Sequence, residues 1–207
     1  MALGDTALEL KGIEKRFREP LFSPVSFVLR AGEGLALVGR NGSGKTTLLD
    51  IVAGLRRPDA GSVALTGPLG YVMQKDGLSG LLSCRDNLAY EASLRGLPPR
   101  RIKARVNEVA ELCGVSDFLG ERLNRCSAGM RQKVAIAAAL LHRPTLLLLD
   151  EAFSSLDAQS AERMKAVARG LLDGGGALVM ASHSPEDYVG LCQRRLALPE
   201  GVEGAVS

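Results

Sequence analysis

The spacing of apolar residues changes from segment to segment along this chain, and each pattern predicts a different element. Ala7-Leu8-Glu9-Leu10-Lys11 and Val25-Ser26-Phe27-Val28-Leu29-Arg30 alternate apolar with polar residues, as half-buried strands of an antiparallel sheet do. Leu35-Ala36-Leu37-Val38 is a short apolar run, read as a buried strand, and Thr47 to Gly54 takes helical spacing behind it. A turn at Arg57-Pro58-Asp59-Ala60-Gly61 leads to short strands through Val63 to Leu65 and Leu69 to Met73, the second ending on Gln74.

From Asp76 to Leu141 the spacing is helical, over Leu88 to Leu94, Ile102 to Leu112 after Pro98-Pro99, and Met130 to Leu141. Thr145 to Leu149 then runs apolar without a break up to Asp150-Glu151, the pattern of a central parallel strand buried on both faces. A helix through Ala161 to Leu172, glycines 174–176 and a strand from Ala177 to Ala181, ending at Ser182-His183, continue the alternation. Leu196 to Leu198 reads as an edge strand, and the tail from Pro199 as loose. The fold class expected is α/β. A mostly parallel core with an antiparallel N-terminal portion, residues 1–75 and 144–207, is interrupted by a helical subdomain over about 76–143, all within a single domain of residues 1–207.

Composition narrows the function classes. The chain has 207 residues, 46% hydrophobic and 24% charged, enough material for one sizeable core. A formal net charge of +3, spread along the chain, gives no reason to expect a nucleic-acid partner; the arginine pairs at 56–57, 100–101 and 194–195 read as solvated faces. Cys84, Cys113, Cys126 and Cys192 form no C-x-x-C pair, so neither a metal site nor a disulfide framework is expected, and a reducing cytosol fits. Acids at Asp5 and Glu9 argue against a secretory leader, and no apolar run approaches the roughly 20 residues of a membrane span.

The chemistry concentrates in Gly39-Arg40-Asn41-Gly42-Ser43-Gly44-Lys45-Thr46-Thr47, which matches the phosphate-binding pattern G-x-x-x-x-G-K-[ST]. Its setting between a buried strand and a helix is the one such a loop needs. Glycines let the backbone N–H groups approach phosphate oxygens at the positive end of the helix, Lys45 adds a point charge between phosphates, and the Thr46 hydroxyl suits Mg²⁺. In a doubly wound sheet ligands bind outside the carboxyl ends of the strands, and three candidate strand ends carry this loop, Asp150-Glu151 and His183. Asp150 suits a Mg²⁺ ligand, and Glu151, aimed differently, a base that polarises an attacking water.

With these residues in view, the chain from about Leu8 to Leu198 resembles the nucleotide-binding subunit of an ATP-binding-cassette (ABC) transporter. The family's markers occur in their expected order: Phe17, the phosphate loop, Gln74, the signature segment Cys126-Ser127-Ala128-Gly129-Met130, Asp150-Glu151, Ser155-Leu156-Asp157 and His183. The resemblance implies a P-loop NTPase core, ATP and Mg²⁺ as cofactors, and hydrolysis that powers transport through separate transmembrane subunits on the cytoplasmic side of the cell membrane. It makes Phe17 the adenine platform, Gln74 a sensor of Mg²⁺ and water, and His183 a contact for the γ-phosphate. It also implies a head-to-tail pair in which Ser127 and the Gly129 backbone close on ATP held by the partner. The segment Gly77 to Ser83 falls where the family receives a short helix from a membrane subunit.

Departures from the pattern keep alternatives open. The usual Leu-Ser-Gly-Gly-Gln reads Cys-Ser-Ala-Gly-Met here, and Ala152 replaces the proline after the catalytic glutamate. A soluble ABC ATPase outside transport, or a nucleotide-binding regulatory module with little turnover, are the competing readings. The Cys-Ser-Ala-Gly and Asp-Glu-Ala-Phe runs are similar to the ATPases of cytochrome c maturation, whereas Gln74 to Leu78 is similar to small-solute importers. Substrate and direction are not written in this chain.

Overall fold

The computed structural model describes residues 6–74 and 77–206, so Asp5 and the expected start of the helical subdomain at Asp76 lie outside the described residues. The two alternating segments form β1 (Thr6–Glu14) and β2 (Val25–Arg30), which pair antiparallel. The apolar run forms β3 (Gly34–Val38), followed by helix α1 (Lys45–Val52), then β4 (Ala60–Leu65) and β5 (Leu69–Val72). β4 joins the other edge of β1, giving a small sheet ordered β2-β1-β4.

Helices α2 (Cys84–Leu94), α3 (Pro99–Leu112) and α4 (Ala128–Leu140) come next. Each starts on a residue suited to the task. Ser83 and Ser127 accept the Asp86 and Met130 amides, and α3 begins with Pro99, whose missing N–H costs nothing at that position. The chain then returns through β6 (Leu146–Asp150), α5 (Ala158–Asp173), β7 (Ala177–Ala181), the single turn α6 (Pro185–Tyr188), β8 (Arg194–Ala197) and β9 (Val202–Ala205).

The large sheet runs β5-β6-β7-β3-β8-β9, parallel up to β8. Its central strands separate two hydrophobic cores. Leu146, Leu148, Leu35, Leu37 and Val179 enter a core beneath the small sheet and α1, while Leu147, Leu149, Ala36, Leu178 and Met180 enter one shared with α2 to α5. Successive side chains leave a strand on opposite faces, so a strand covered on both sides is apolar without interruption. Each leucine so buried contributes about 1.5–3 kcal/mol.

Three expectations need correction. β8 is not the edge, and the tail after Pro199 is not loose, because Val202–Ala205 pairs antiparallel outside β8. That segment contains Gly204 and little β-forming character; the open edge of β8 supplies the backbone partners that its own sequence does not call for. Nor is Arg194 a solvated residue. Its guanidinium donates to the Val28 carbonyl at 2.7 Å, lies 3.2 Å from Glu33 and pairs with Glu203, tying β8 to β2, to the turn before β3 and to β9.

Strand order decides where the site lies. From β3 the chain crosses to β5 at the far end and works back through β6 to β7, which takes the place beside β3, before passing to β8 on its other side. The carboxyl ends of β3, β7 and β6 are therefore adjacent at a topological switch point.

Candidate functional site

The loop after β3 wraps the start of α1. Gly44, the residue before the first turn, has φ 100°, and a Cβ there would lie 2.6 Å from the Phe22 ring, so both the conformation and the packing require glycine. No side chain caps this helix, and its first N–H groups are left for a ligand. Lys45 is buried and folds back, its Nζ donating to the Gly39 carbonyl at 2.8 Å and the Arg40 carbonyl at 3.3 Å. Ser43 is buried as well, its hydroxyl oxygen without a hydrogen-bond partner.

A cavity of about 450 Å³ lies over this loop, lined by Asn41, Gly42, Gly44, Lys45, Thr46 and Thr47 on one side and Gln74, Asp150, Glu151, Ser154 and His183 on the other. Asp150 closes β6 and is only 2% exposed. Burial, with the charges of Glu151 and Asp50 adding, pushes its carboxyl above the usual range, while the Thr46 hydroxyl and Lys45 pull the other way. The chain turns sharply at Glu151, which takes φ 50°, rare for a residue with a side chain. Ser154 holds this turn by donating to the Glu151 carbonyl at 2.9 Å.

Glu151 Oε2 stands 2.9 Å from His183 Nδ1, without the alignment of a hydrogen bond, and Asp150 Oδ2 has no partner. Buried polar atoms are almost always satisfied. Oxygens of Asp150 and Glu151 without hydrogen-bond partners among the described residues, around a cavity with a lysine and an uncapped helix start, match what a phosphate chain and a hard divalent cation would fill.

Not every expected residue meets there. Gly39, Arg40 and Ser43 shape the loop without lining the cavity, and Gln74 lies past the end of β5, exposed, with its face toward the cavity. Phe17 is 62% exposed, which removes core packing as its role, and Arg56 sits 5.7 Å from its ring centroid. Ser127 and Gly129 start α4 away from this cavity. A Cβ on Gly129 would lie 2.9 Å from the Ser155 carbonyl, so the signature packs against the segment that follows Glu151. Leu21 and Ser154 line the cavity and were not anticipated. Ser154 had a readable signal, a serine three residues past a strand end and able to bond back to the backbone; Leu21 had none.

The match to a known family covers residues 22–154, described as ABC transporter. The chain is 36% identical to the sulfate/thiosulfate import ATP-binding protein CysA of Mycolicibacterium paratuberculosis, over 96% of its own length and 58% of that relative's. It thus spans little more than half of that protein. With the taurine import ATP-binding protein TauB of Roseobacter denitrificans it shares 33% identity, over 93% of this chain and 78% of the relative. Among solved structures, an ATP-binding cassette in a dimeric post-hydrolysis state with ADP and Pi superposes with TM-score 0.86 at 23% identity, covering 97% of this chain and 99% of that one. At that identity the likeness establishes the fold.

Proposed function

The chain belongs to the ABC transporter family, and on that premise we propose that it is the ATP-binding and ATP-hydrolysing subunit of a membrane transporter, acting through separate transmembrane subunits. The observation that carries this reading is the single cavity shared by Lys45, Thr46, Asp150, Glu151 and His183, three strand ends brought to one place. No helix among the described residues is long and apolar enough to cross a membrane, which fits a subunit that works against other chains.

ATP would supply the transferable phosphoryl group, and Mg²⁺ would offset the charge on its oxygens. Loop amides and Lys45 Nζ would hold the phosphates; to do so Lys45 exchanges its bonds to Gly39 and Arg40 for phosphate oxygens. Thr46, Asp150 and Gln74 would be the oxygen donors for the cation. Glu151 Oε2 would take the proton of the attacking water, and His183, 62% exposed in its side chain, would reach the terminal phosphate from the open side. Phe17, exposed between β1 and β2, offers a ring face for adenine.

Ser127 and Gly129 do not line this cavity, and we assign them to the nucleotide of a second subunit paired head to tail. The mobile element is the helical subdomain, taken as about 76–143, which follows Gln74. Leu81, 78% exposed, and Leu82 beside a cavity of about 280 Å³ lined by Leu78, Asn87 and Tyr90 offer the surface for a short helix of a membrane subunit.

A steady-state ATPase assay of the purified chain, alone and in its membrane complex, tests the proposal. Turnover should be present and lost in Lys45→Ala. Tight ATP binding with no turnover in either setting would favour a regulatory module instead.

A further inference from the structure

Cys84 and Cys126 place their sulfurs 3.6 Å apart although they lie 42 residues apart in the chain. Cys84 is fully buried at the start of α2, and Cys126 is the one cysteine of the four that solvent reaches. The backbone around them is firmly paired: Cys84 N donates to the Glu121 carbonyl at 2.9 Å, Leu123 N to Leu82 at 3.0 Å and Cys126 N to Leu123 at 3.1 Å. Closing a disulfide needs the sulfurs to approach to about 2.05 Å; with the backbone at Cys84 and Leu123 held by these bonds, the approach falls on Cys126 and the residue after it.

We propose that Cys84 and Cys126 form a peroxide-oxidised dithiol that reversibly tethers the signature segment to the start of α2. A peroxide oxygen is transferred to the Cys126 thiolate, giving a sulfenic acid and releasing the reduced peroxide as water or alcohol. The Cys84 sulfur then attacks the Cys126 sulfur; the S–S bond forms, the S–OH bond breaks, and the leaving hydroxide departs as water with the Cys84 proton. Two thiols are oxidised by two electrons and one peroxide is reduced. Burial pushes the Cys84 thiol up to about 12, with the Cys126 contact adding, so Cys84 suits the resolving step and not the first one. Cys113 and Cys192, also buried and also pushed up to about 12, have no such neighbour among the described residues.

The tether acts on function through position. Cys126 precedes Ser127, whose hydroxyl caps α4 by accepting the Met130 amide at 3.2 Å. Pulling Cys126 toward Cys84 moves Ser127 off that amide and off the place where it would meet a nucleotide, an effect on turnover that rests on the role proposed above for Ser127. The same tether ties the signature to Leu81-Leu82, the surface offered to a membrane subunit.

Hydrogen peroxide added to the reduced, purified full chain tests this. A non-reducing digest should contain a disulfide-linked Cys84–Cys126 peptide, amide exchange over residues 128–131 should quicken, and turnover should fall below about a tenth. Dithiothreitol should reverse all three. Cys84→Ala should match the parent when reduced and keep its turnover under peroxide, and Cys126→Ser should give no linked peptide. Absence of the linked peptide, or its presence with unchanged exchange and turnover, would overturn the proposal, as would equal loss of activity in Cys84→Ala. A reduced chain that never hydrolyses ATP would count against the ATPase reading, while linked peptide and amide exchange would still decide the tether.

Discussion

Asp150 shows most directly how a site can work against its own scaffold. Its carboxyl is held above the ordinary value of 3.8 chiefly by burial, so the folded chain binds its proton more tightly than the unfolded chain does. The stability this group contributes is full below 3.8 and is lost as pH rises through the raised folded value, and its Oδ2 has no hydrogen-bond partner among the described residues of the ligand-free protein. Asp150→Asn should therefore raise the melting temperature of the ligand-free chain at neutral pH, with a gain that shrinks toward acid pH, and should weaken Mg²⁺-dependent ATP binding. A lower melting temperature at neutral pH would show that the carboxylate is satisfied in solution. Glu151, turned out of the strand by its φ of 50°, carries the chemistry in this reading. Glu151→Gln should leave ATP binding intact, cut turnover at least about a hundredfold and trap an ATP-bound dimer; near-normal turnover would remove it from the role.

At the scale of elements, the segment between β5 and α2 links the cavity to the surface. Asn87, buried on α2, fastens it: its carbonyl oxygen accepts the Ser79 amide at 2.8 Å and its amide group donates to the Ser79 carbonyl at 2.9 Å and the Ser83 carbonyl at 3.0 Å. Leu78 packs partly against the helical core, whereas Leu81 is 78% exposed, so the two leucines anticipated together as a docking surface differ. Leu81→Glu should leave folding and ATP binding by the free subunit unchanged and release the chain from membranes that carry its partner, measured by cosedimentation. Retention on those membranes would sink this docking surface. Leu78→Glu should also cost stability and is the poorer probe.

For the whole molecule, the signature of one chain does not line the cavity over its own phosphate loop, so an active site assembled from one copy alone is incomplete in this reading. A mixed dimer of Ser127→Arg and Lys45→Ala chains should keep one composite site, with each mutant homodimer having none. Each mixed dimer should recover about half the parent's turnover if sites act independently. Mixed dimers shown to form but as inactive as both homodimers would argue against closure in trans.

Most strands were legible because their cause is local: the sheet's pleat sends alternate side chains to opposite faces, so Leu8 to Leu10 and Leu146 to Leu149 announce one buried face or two. The phosphate loop was legible for the same reason, since Gly44 and Lys45 answer to their own backbone and its helix. The sequence by itself thus determined most of the elements, the α/β class and a candidate phosphate-binding loop. Tertiary structure alone decided that β9 adds to β8, that Arg194 is a tie and not a solvated charge, that Phe17 is exposed, that Leu21 reaches the cavity and that Cys84 meets Cys126. Each depends on which distant backbone edge, carbonyl or side chain the strand order brings alongside, and no periodicity within a segment encodes a partner in another.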